Sequence, residues 1–176
     1  MKLFLLALTL ISACIYVQAQ TQPKPSQNPN TDDAKAAAQV VESLFTAMKA
    51  KDAQAMSALF IKDGQLVAID KSRPHDDGGL VTIDKLRTDD GSTTRIFSGD
   101  AFAKLISESK GADYLEQMKD PEVKIFGDMA LVFGRYTFHV ADKFSHCGTN
   151  SFHLVRTADG WKIANVASTL EFNCNR

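Results

Sequence analysis

The chain has 176 residues, of which 44% are hydrophobic and 23% are charged. It is therefore long enough to form one globular domain with a substantial core. Its formal net charge of −1 at pH 7 gives no electrostatic basis for binding nucleic acid or an anionic membrane surface. The sequence contains no P-loop, dinucleotide-binding glycine pattern or nucleophile elbow, so it does not indicate those classes of enzyme.

The first residues have the pattern of a secretory signal peptide. Lys2 precedes an apolar stretch that ends in small residues at Ala19, where a signal peptidase would cut. We therefore predict a signal peptide over residues 1–19 and a secreted or periplasmic protein. The apolar run is too short to predict a transmembrane segment. In the alternative, a bacterial lipoprotein, Cys14 would carry a lipid anchor.

Export determines how the cysteines are interpreted. Once residues 1–19 are removed, Cys147 and Cys174 remain, an even number in an oxidising compartment. We predict that they form a disulfide, which would stabilise the fold by about 3 kcal/mol on the loop-entropy model. A metal site formed with nearby histidines is the alternative, and the absence of a CxxC spacing argues against it. We therefore predict no metal and no cofactor.

A linker and two helices open the mature chain. Residues 20–33 are rich in Pro, Gln and Asn and are predicted to be a flexible linker, followed by one domain over residues 34–174. Helical spacing of apolar residues predicts a first helix over 34–50 and a short second helix over 53–60. The apolar positions of the first helix are Ala37, Val40, Val41, Leu44, Phe45 and Met48.

The middle of the chain alternates strands with a third helix. A short strand is predicted over 65–69, and a polar loop, whose role the sequence leaves open, follows over 70–79. Residues 80–86 and 93–97 are predicted to be paired strands, and residues 101–109 a helix.

The last third is predicted to form three consecutive antiparallel strands over 129–140, 149–156 and 161–170, preceded by a broken strand over 113–126. Asp159-Gly160 between alternating apolar runs is a strong hairpin signal.

The expected register sorts these side chains by face, because side chains alternate along a strand. The hairpin places Phe152 opposite Asn165, and a loop centred near Ser145 places Phe138 beside Leu154. The face predicted to point inward carries Val132, Tyr136, Phe138, Phe152, Leu154, Trp161, Ile163 and Asn165. The outer face is predicted to carry Arg135, Thr137, His139, Ser151, His153, Lys162 and Ser168, with Leu131, Phe133 and Val166 among them.

This order of elements resembles a known superfamily. The sequence has ALF at the end of the second helix, GDMALVFGRY at the start of the long strand and GWKI in the last strand. Over roughly residues 34–172 it resembles the nuclear transport factor 2-like superfamily, which includes ketosteroid isomerase, scytalone dehydratase and the SnoaL-type polyketide cyclases. The resemblance implies an α+β fold, a cone-shaped barrel in which three helices from the N-terminal half pack on a strongly bent, mainly antiparallel sheet. It also implies a cavity inside the cone and a homodimer formed through the outer face of the sheet.

Catalytic members of that superfamily place an acid, a His or a Tyr in an apolar cavity, so the resemblance directs attention to inward polar residues. Tyr136 and Asn165 are the candidate catalytic residues. No carboxylate falls on the inward face of the three registered strands, so no particular reaction is carried over. The predicted ligand-binding residues are Phe45, Met48, Phe60, Tyr114, Tyr136, Phe138, Phe152 and Asn165.

Three functions therefore remain open. The first is an exported domain that binds a small apolar molecule without assured catalysis. The second is an enzyme of the cyclase, isomerase or dehydratase type, with Tyr136 as acid or oxyanion donor and Asn165 orienting the substrate. The third is a homodimeric interaction module with a filled core. A carboxylate or His buried in the cavity would favour the enzyme, an empty cavity lined by Phe and Leu would favour binding, and tight packing would favour the interaction module.

Overall fold

The computed structural model describes residues 31–70, 85–87, 93–110, 113–172 and 174. The predicted signal peptide, Cys14, most of the predicted linker and nearly all of the 70–79 loop lie outside these residues. Among the described residues, no helix is both long enough and apolar enough to cross a membrane.

The three predicted helices are confirmed as α1 (Thr31–Ala50), α2 (Ala53–Ala58) and α3 (Gly99–Glu108). The first begins three residues before its expected start and buries the apolar stripe that the sequence predicts. Short polar side chains cap the other two. Asp52 accepts a hydrogen bond of 2.9 Å from the backbone N–H of Ala55, and Ser98 caps α3 in the same way.

In the described residues, eight strands form one bent sheet. Their bounds are β1 (Phe60–Asp70), β2 (Lys85–Arg87), β3 (Thr93–Ser98), β4 (Tyr114–Met118), β5 (Glu122–Phe126), β6 (Met129–Val140), β7 (Lys143–Thr157) and β8 (Gly160–Leu170). Their order is β2-β3-β1-β8-β7-β6-β4, with β5 also paired to β6. All pairs are antiparallel except β1 with β8, so the α+β prediction is confirmed. In the described part of the chain the sheet is open rather than a closed barrel.

The predicted register of β6 and β7 is wrong. Phe138 pairs with His146, and Leu154 pairs with Ala130, because the strands turn at Ala141-Asp142 rather than near Ser145. Both turn residues have positive φ, 48° and 61°, the backbone of a two-residue type I′ hairpin. The Ala-Asp pair lacks the Asn-Gly or Asp-Gly signature of that turn, which is why the sequence did not indicate it. The displacement is an even number of positions, so the predicted inward face of β6 is unchanged.

A β-bulge changes the faces of β8. Leu154 pairs with Ile163 as predicted, but Phe152 pairs with Val166 instead of Asn165, because Ala164 is an extra residue without a partner on β7. The alternation therefore reverses after the bulge. Asn165 lies on the outer face opposite His153, which corrects its predicted inward position, while Val166 and Ser168, predicted to face outward, belong to the inner face.

The core lies between the helices and the inner face of the sheet. Leu44, Phe152, Leu154 and Ile163 are among its fully buried side chains, and the rings of Phe45 and Phe152 meet edge to face with centroids 6.0 Å apart. Other residues of α1, α3 and the inner face of the sheet line a cavity.

Candidate functional site

The cavity has a volume of about 310 Å³, at the lower end of the range for small-molecule sites. Helices α1 and α3 supply an apolar wall that consists of Leu44, Phe45, Met48, Phe102, Leu105 and Ile106. The sheet supplies the polar groups, because inward positions of β1, β3, β4, β6, β7 and β8 converge on the same space.

A chain of hydrogen bonds connects polar residues of three strands inside the cavity. The side-chain nitrogen of Asn150 donates to Oε1 of Glu116 over 2.6 Å. The hydroxyl group of Ser168 donates to the side-chain oxygen of Asn150. Asn150 is only 1% exposed, so its amide is fixed by both neighbours and in turn fixes the position of the Glu116 carboxyl group.

The protonation of Glu116 is unusual for a carboxylic acid. Burial raises the pKa of its carboxyl group to about 7, and the hydrogen bond from Asn150 opposes part of that rise. Ionisation is unfavourable because the surrounding walls cannot solvate the charge. At neutral pH the group is therefore close to half protonated and able either to accept or to donate a proton.

Tyr136 also lines the cavity, but its hydroxyl group already has a partner. It donates to the backbone carbonyl of Thr169 over 3.0 Å. Gly148 makes this approach possible, since a Cβ there would overlap the Thr169 carbonyl and lie 2.8 Å from Cε1 of Tyr136. Burial, reinforced by the negative charges of Glu116 and Glu171, raises the pKa of Tyr136. The phenol is thus held protonated, and its hydroxyl group is oriented toward the Thr169 carbonyl.

A second polar group lies at the aromatic end of the cavity. The imidazole of His146 stacks on Phe138 with ring centroids 4.8 Å apart and also contacts Phe172. Burial lowers the pKa of His146, and the charge of Asp70 acts in the opposite direction. Asp70 is itself 5% exposed and lines the same cavity.

Six of the eight residues predicted to bind a ligand line this cavity: Phe45, Met48, Tyr114, Tyr136, Phe138 and Phe152. Phe60 is instead a core residue that packs against Gly99, because its strand reaches the cavity only several residues later. Asn165 is not a cavity-lining residue, because the bulge in β8 places it on the outer face of the sheet. The structure thus brings together the predicted aromatic wall but neither places Asn165 in it nor leaves the Tyr136 hydroxyl group unengaged.

The sequence did not predict three of the cavity residues, Glu116, Asp70 and Arg95. The pairing register could be estimated only for the three C-terminal strands, and these residues lie on other strands. A signal for Glu116 was nevertheless present. Tyr114 was expected to face inward, and period-two alternation places the side chain two residues later on the same face. The structure shows this arrangement on β4.

The predicted disulfide is present between Cys147 and Cys174. It fastens the segment after β8 to β7, where the backbone groups of Cys147 and Glu171 also exchange two hydrogen bonds. On the outer face, Arg135 forms a 3.2 Å ion pair with Glu171. The end of β8 that carries the Thr169 carbonyl is therefore fixed by the disulfide, the two backbone hydrogen bonds and this ion pair.

No protein-family model matches the chain, and no curated protein matches it in sequence. Solved structures do match its fold. A nuclear transport factor 2-like superfamily protein from Salmonella enterica is 11% identical, with a TM-score of 0.58 over 84% of this chain and 96% of that one. A nuclear transport factor 2-like protein with a cystatin-like fold from Novosphingobium aromaticivorans is 17% identical, with a TM-score of 0.57 over 82% and 85%.

A candidate dehydratase of the nuclear transport factor 2-like family from Streptomyces avermitilis is 13% identical, with a TM-score of 0.56 over 82% of this chain and 100% of that one. These likenesses define a class of structure. The chain has the nuclear transport factor 2-like fold, and the predicted resemblance is confirmed at that level.

Proposed function

We propose that this protein is an exported enzyme that binds a small, mainly apolar molecule in the cone and moves a proton on it through Glu116. The observation that carries the proposal is the Glu116 carboxyl group, held by Asn150 inside an apolar cavity. A plain core would exclude such a group, because an uncompensated buried carboxylate is strongly unfavourable.

The chemistry follows from the protonation of Glu116. A pKa of about 7 lies near the operating pH, where a general base or acid is most effective. In its ionised form the group removes a proton from carbon beside a carbonyl, and the same group then returns that proton to another atom. Asn150 keeps the carboxyl group in one orientation through both steps. Isomerisation and dehydration both begin with this removal.

The alternatives have less support. A filled interaction module has no use for a cavity of about 310 Å³. Binding alone does not require a carboxyl group whose pKa is about 7. Binding is nevertheless the first step of the proposed reaction. The candidate dehydratase among the solved structures has the same fold. Its name suggests dehydration as one reaction to test, but the likeness does not assign a reaction to this chain.

Export is part of the proposal. The disulfide between Cys147 and Cys174 is typical of proteins in oxidising compartments, and it agrees with the predicted signal peptide. Mass spectrometry of the secreted or periplasmic protein would test this, since cleavage after Ala19 and lipidation at Cys14 give different N-terminal peptides.

Two small probes test the chemistry. Removal of a proton beside the carbonyl converts cyclohex-3-enone to cyclohex-2-enone, and the same removal from 3-hydroxycyclohexanone, with loss of water, gives the same product. We expect the purified protein to accelerate at least one of these conversions, followed by ultraviolet absorbance. The Glu116→Gln variant, which cannot accept the proton, should lose the activity.

Glu122→Gln is the matched control, because Glu122 is a strand residue with an exposed side chain. Equal rates for the wild type and Glu116→Gln would contradict the proposed role of Glu116. Binding of both probes without conversion in any variant would favour the simpler function of a small-molecule-binding protein.

A further inference from the structure

A row of inward side chains crosses the sheet from the Glu116 site to a cation. Asn150 on β7 pairs with Ser168 on β8, Ser168 pairs with Ala68 on β1, and Ala68 pairs with Arg95 on β3. All four residues line the cavity. With a strand spacing of about 4.8 Å, the two ends of this row are separated by roughly 14 Å along the sheet. Arg95 therefore defines an end of the cavity that is distinct from the end at Glu116.

Arg95 has a donor without a partner. Three described side chains have a buried nitrogen atom with no hydrogen bond, Nε of Arg95, Nδ1 of His139 and Nε1 of Trp161. Of these three, only Arg95 lines the cavity. A buried unsatisfied donor is unfavourable by about 1–3 kcal/mol, and more for a charged group, so such an atom calls for an explanation. A ligand with an oxygen acceptor would satisfy it.

The surroundings of Arg95 indicate the charge of that acceptor. Asp70 also lines this end of the cavity and is buried. Ala68 pairs with Arg95, and Asp70 lies two residues further along β1, so a carboxylate brought in by a ligand to Arg95 would also be close to the Asp70 carboxyl group. A neutral carbonyl oxygen accepts the same hydrogen bond without that repulsion.

We propose that Arg95 forms a second polar subsite, which binds a neutral carbonyl oxygen of the ligand at the end of the cavity remote from Glu116. The ligand is accordingly a compound with an apolar body between two polar ends, one that reacts at Glu116 and one that is held by Arg95. This inference rests on the proposed function only for the reacting end. Binding through Arg95 requires no catalysis.

Two probes of similar size separate the subsite from general apolar binding. Acetophenone and cumene differ in having a carbonyl oxygen or a methyl group at one position. Dissociation constants are measured by protein NMR at pH 9, where Glu116, with its pKa of about 7, is ionised and cannot donate to the carbonyl.

We expect Arg95→Met to weaken acetophenone binding by about tenfold or more, as for loss of a hydrogen bond to a charged group, and to leave cumene binding within about twofold. Lys104→Met removes an exposed cation from α3 and should change neither constant. If Arg95→Met fails to fold, Arg95→Leu, which also has no side-chain donor, serves in its place.

An unchanged acetophenone affinity in Arg95→Met or Arg95→Leu would overturn the subsite. Tighter binding of benzoate than of acetophenone by the wild type would overturn its assignment to a neutral carbonyl. Failure of the wild type to bind either acetophenone or cumene would overturn both this inference and the proposed ligand cavity. Loss of enone formation in Glu116→Gln with an intact Arg95 effect would support both proposals independently.

Discussion

The side-chain nitrogen of Asn150 lies 2.6 Å from Oε1 of Glu116. This contact holds the Glu116 carboxyl group in position in the cavity and affects its pKa. Asn150 cannot itself titrate. It favours the ionised form of its partner, while burial favours the neutral form, and burial is the larger effect.

Stability should depend on pH through Glu116. The pKa of its carboxyl group rises from 4.5 in the unfolded chain to about 7 in the folded one, so between these values the folded state binds more protons. Stability therefore falls as the pH rises through this window, by on the order of 3 kcal/mol, and stays lower above it. Glu116→Gln should remove this penalty, and its stability advantage over the wild type should grow from pH 4.5 to pH 8. Chemical denaturation at a series of pH values measures the difference, and a difference independent of pH would contradict the assignment.

Asn150→Leu should raise the pKa of Glu116 above about 7, because it removes the hydrogen bond that favours the carboxylate. Carbon-13 NMR of the glutamate carboxyl groups follows the titration, and Glu116→Gln identifies the resonance. Asn165→Leu provides a matched control, since Asn165 lies on the outer face. A downward shift in Asn150→Leu would show that the amide does not stabilise the ionised form.

Loss of the disulfide should destabilise the fold by about 3 kcal/mol, because the bond closes a loop between cysteines 27 positions apart. The Cys147→Ser, Cys174→Ser double variant tests this by urea denaturation. Reduction of the wild type should produce a similar loss, and the double variant should be insensitive to reductant. Finding both cysteines free by peptide mapping of unreduced protein would refute the bond.

Trp161→Ala should destabilise the protein by about 3–5 kcal/mol, as for other large buried aromatic side chains. Trp161 is 5% exposed and belongs to the core, and the guanidinium of Arg156 lies 4.3 Å from its ring centroid. Phe126→Ala is the control, since that side chain is 39% exposed and should lose far less. Equal losses in the two variants would mean that Trp161 contributes little to packing.

The sequence was sufficient for the helices, the final hairpin and the aromatic wall, because each has a local signal. Helical spacing locates α1, and Asp159-Gly160 locates the turn before β8. The predicted strand pairing was wrong where it depends on a backbone conformation that the residue types do not indicate. Ala141 and Asp142 adopt positive φ although neither is a glycine or an asparagine. The turn between β6 and β7 therefore lies at these residues and not near Ser145, where it was predicted.

The polar part of the site was harder to predict, because it is assembled from distant segments. Glu116 reaches Asn150 across β6, and 34 residues separate them in sequence. No short motif describes such a pair. Only the register of β4 against β6, in which Glu116 pairs with Phe138, places its carboxyl group among the aromatic side chains, and residues alone do not specify that register.

The bulge at Ala164 has a consequence for how this chain is aligned with others of its fold. The unpaired residue lets β8 continue with Val166 and Ser168 toward the cavity. A relative whose last strand lacks the bulge must be aligned with a one-residue gap there. Without that gap, every later cavity position of one chain would be matched to a solvent-facing position of the other, and shared ligand contacts would pass unnoticed.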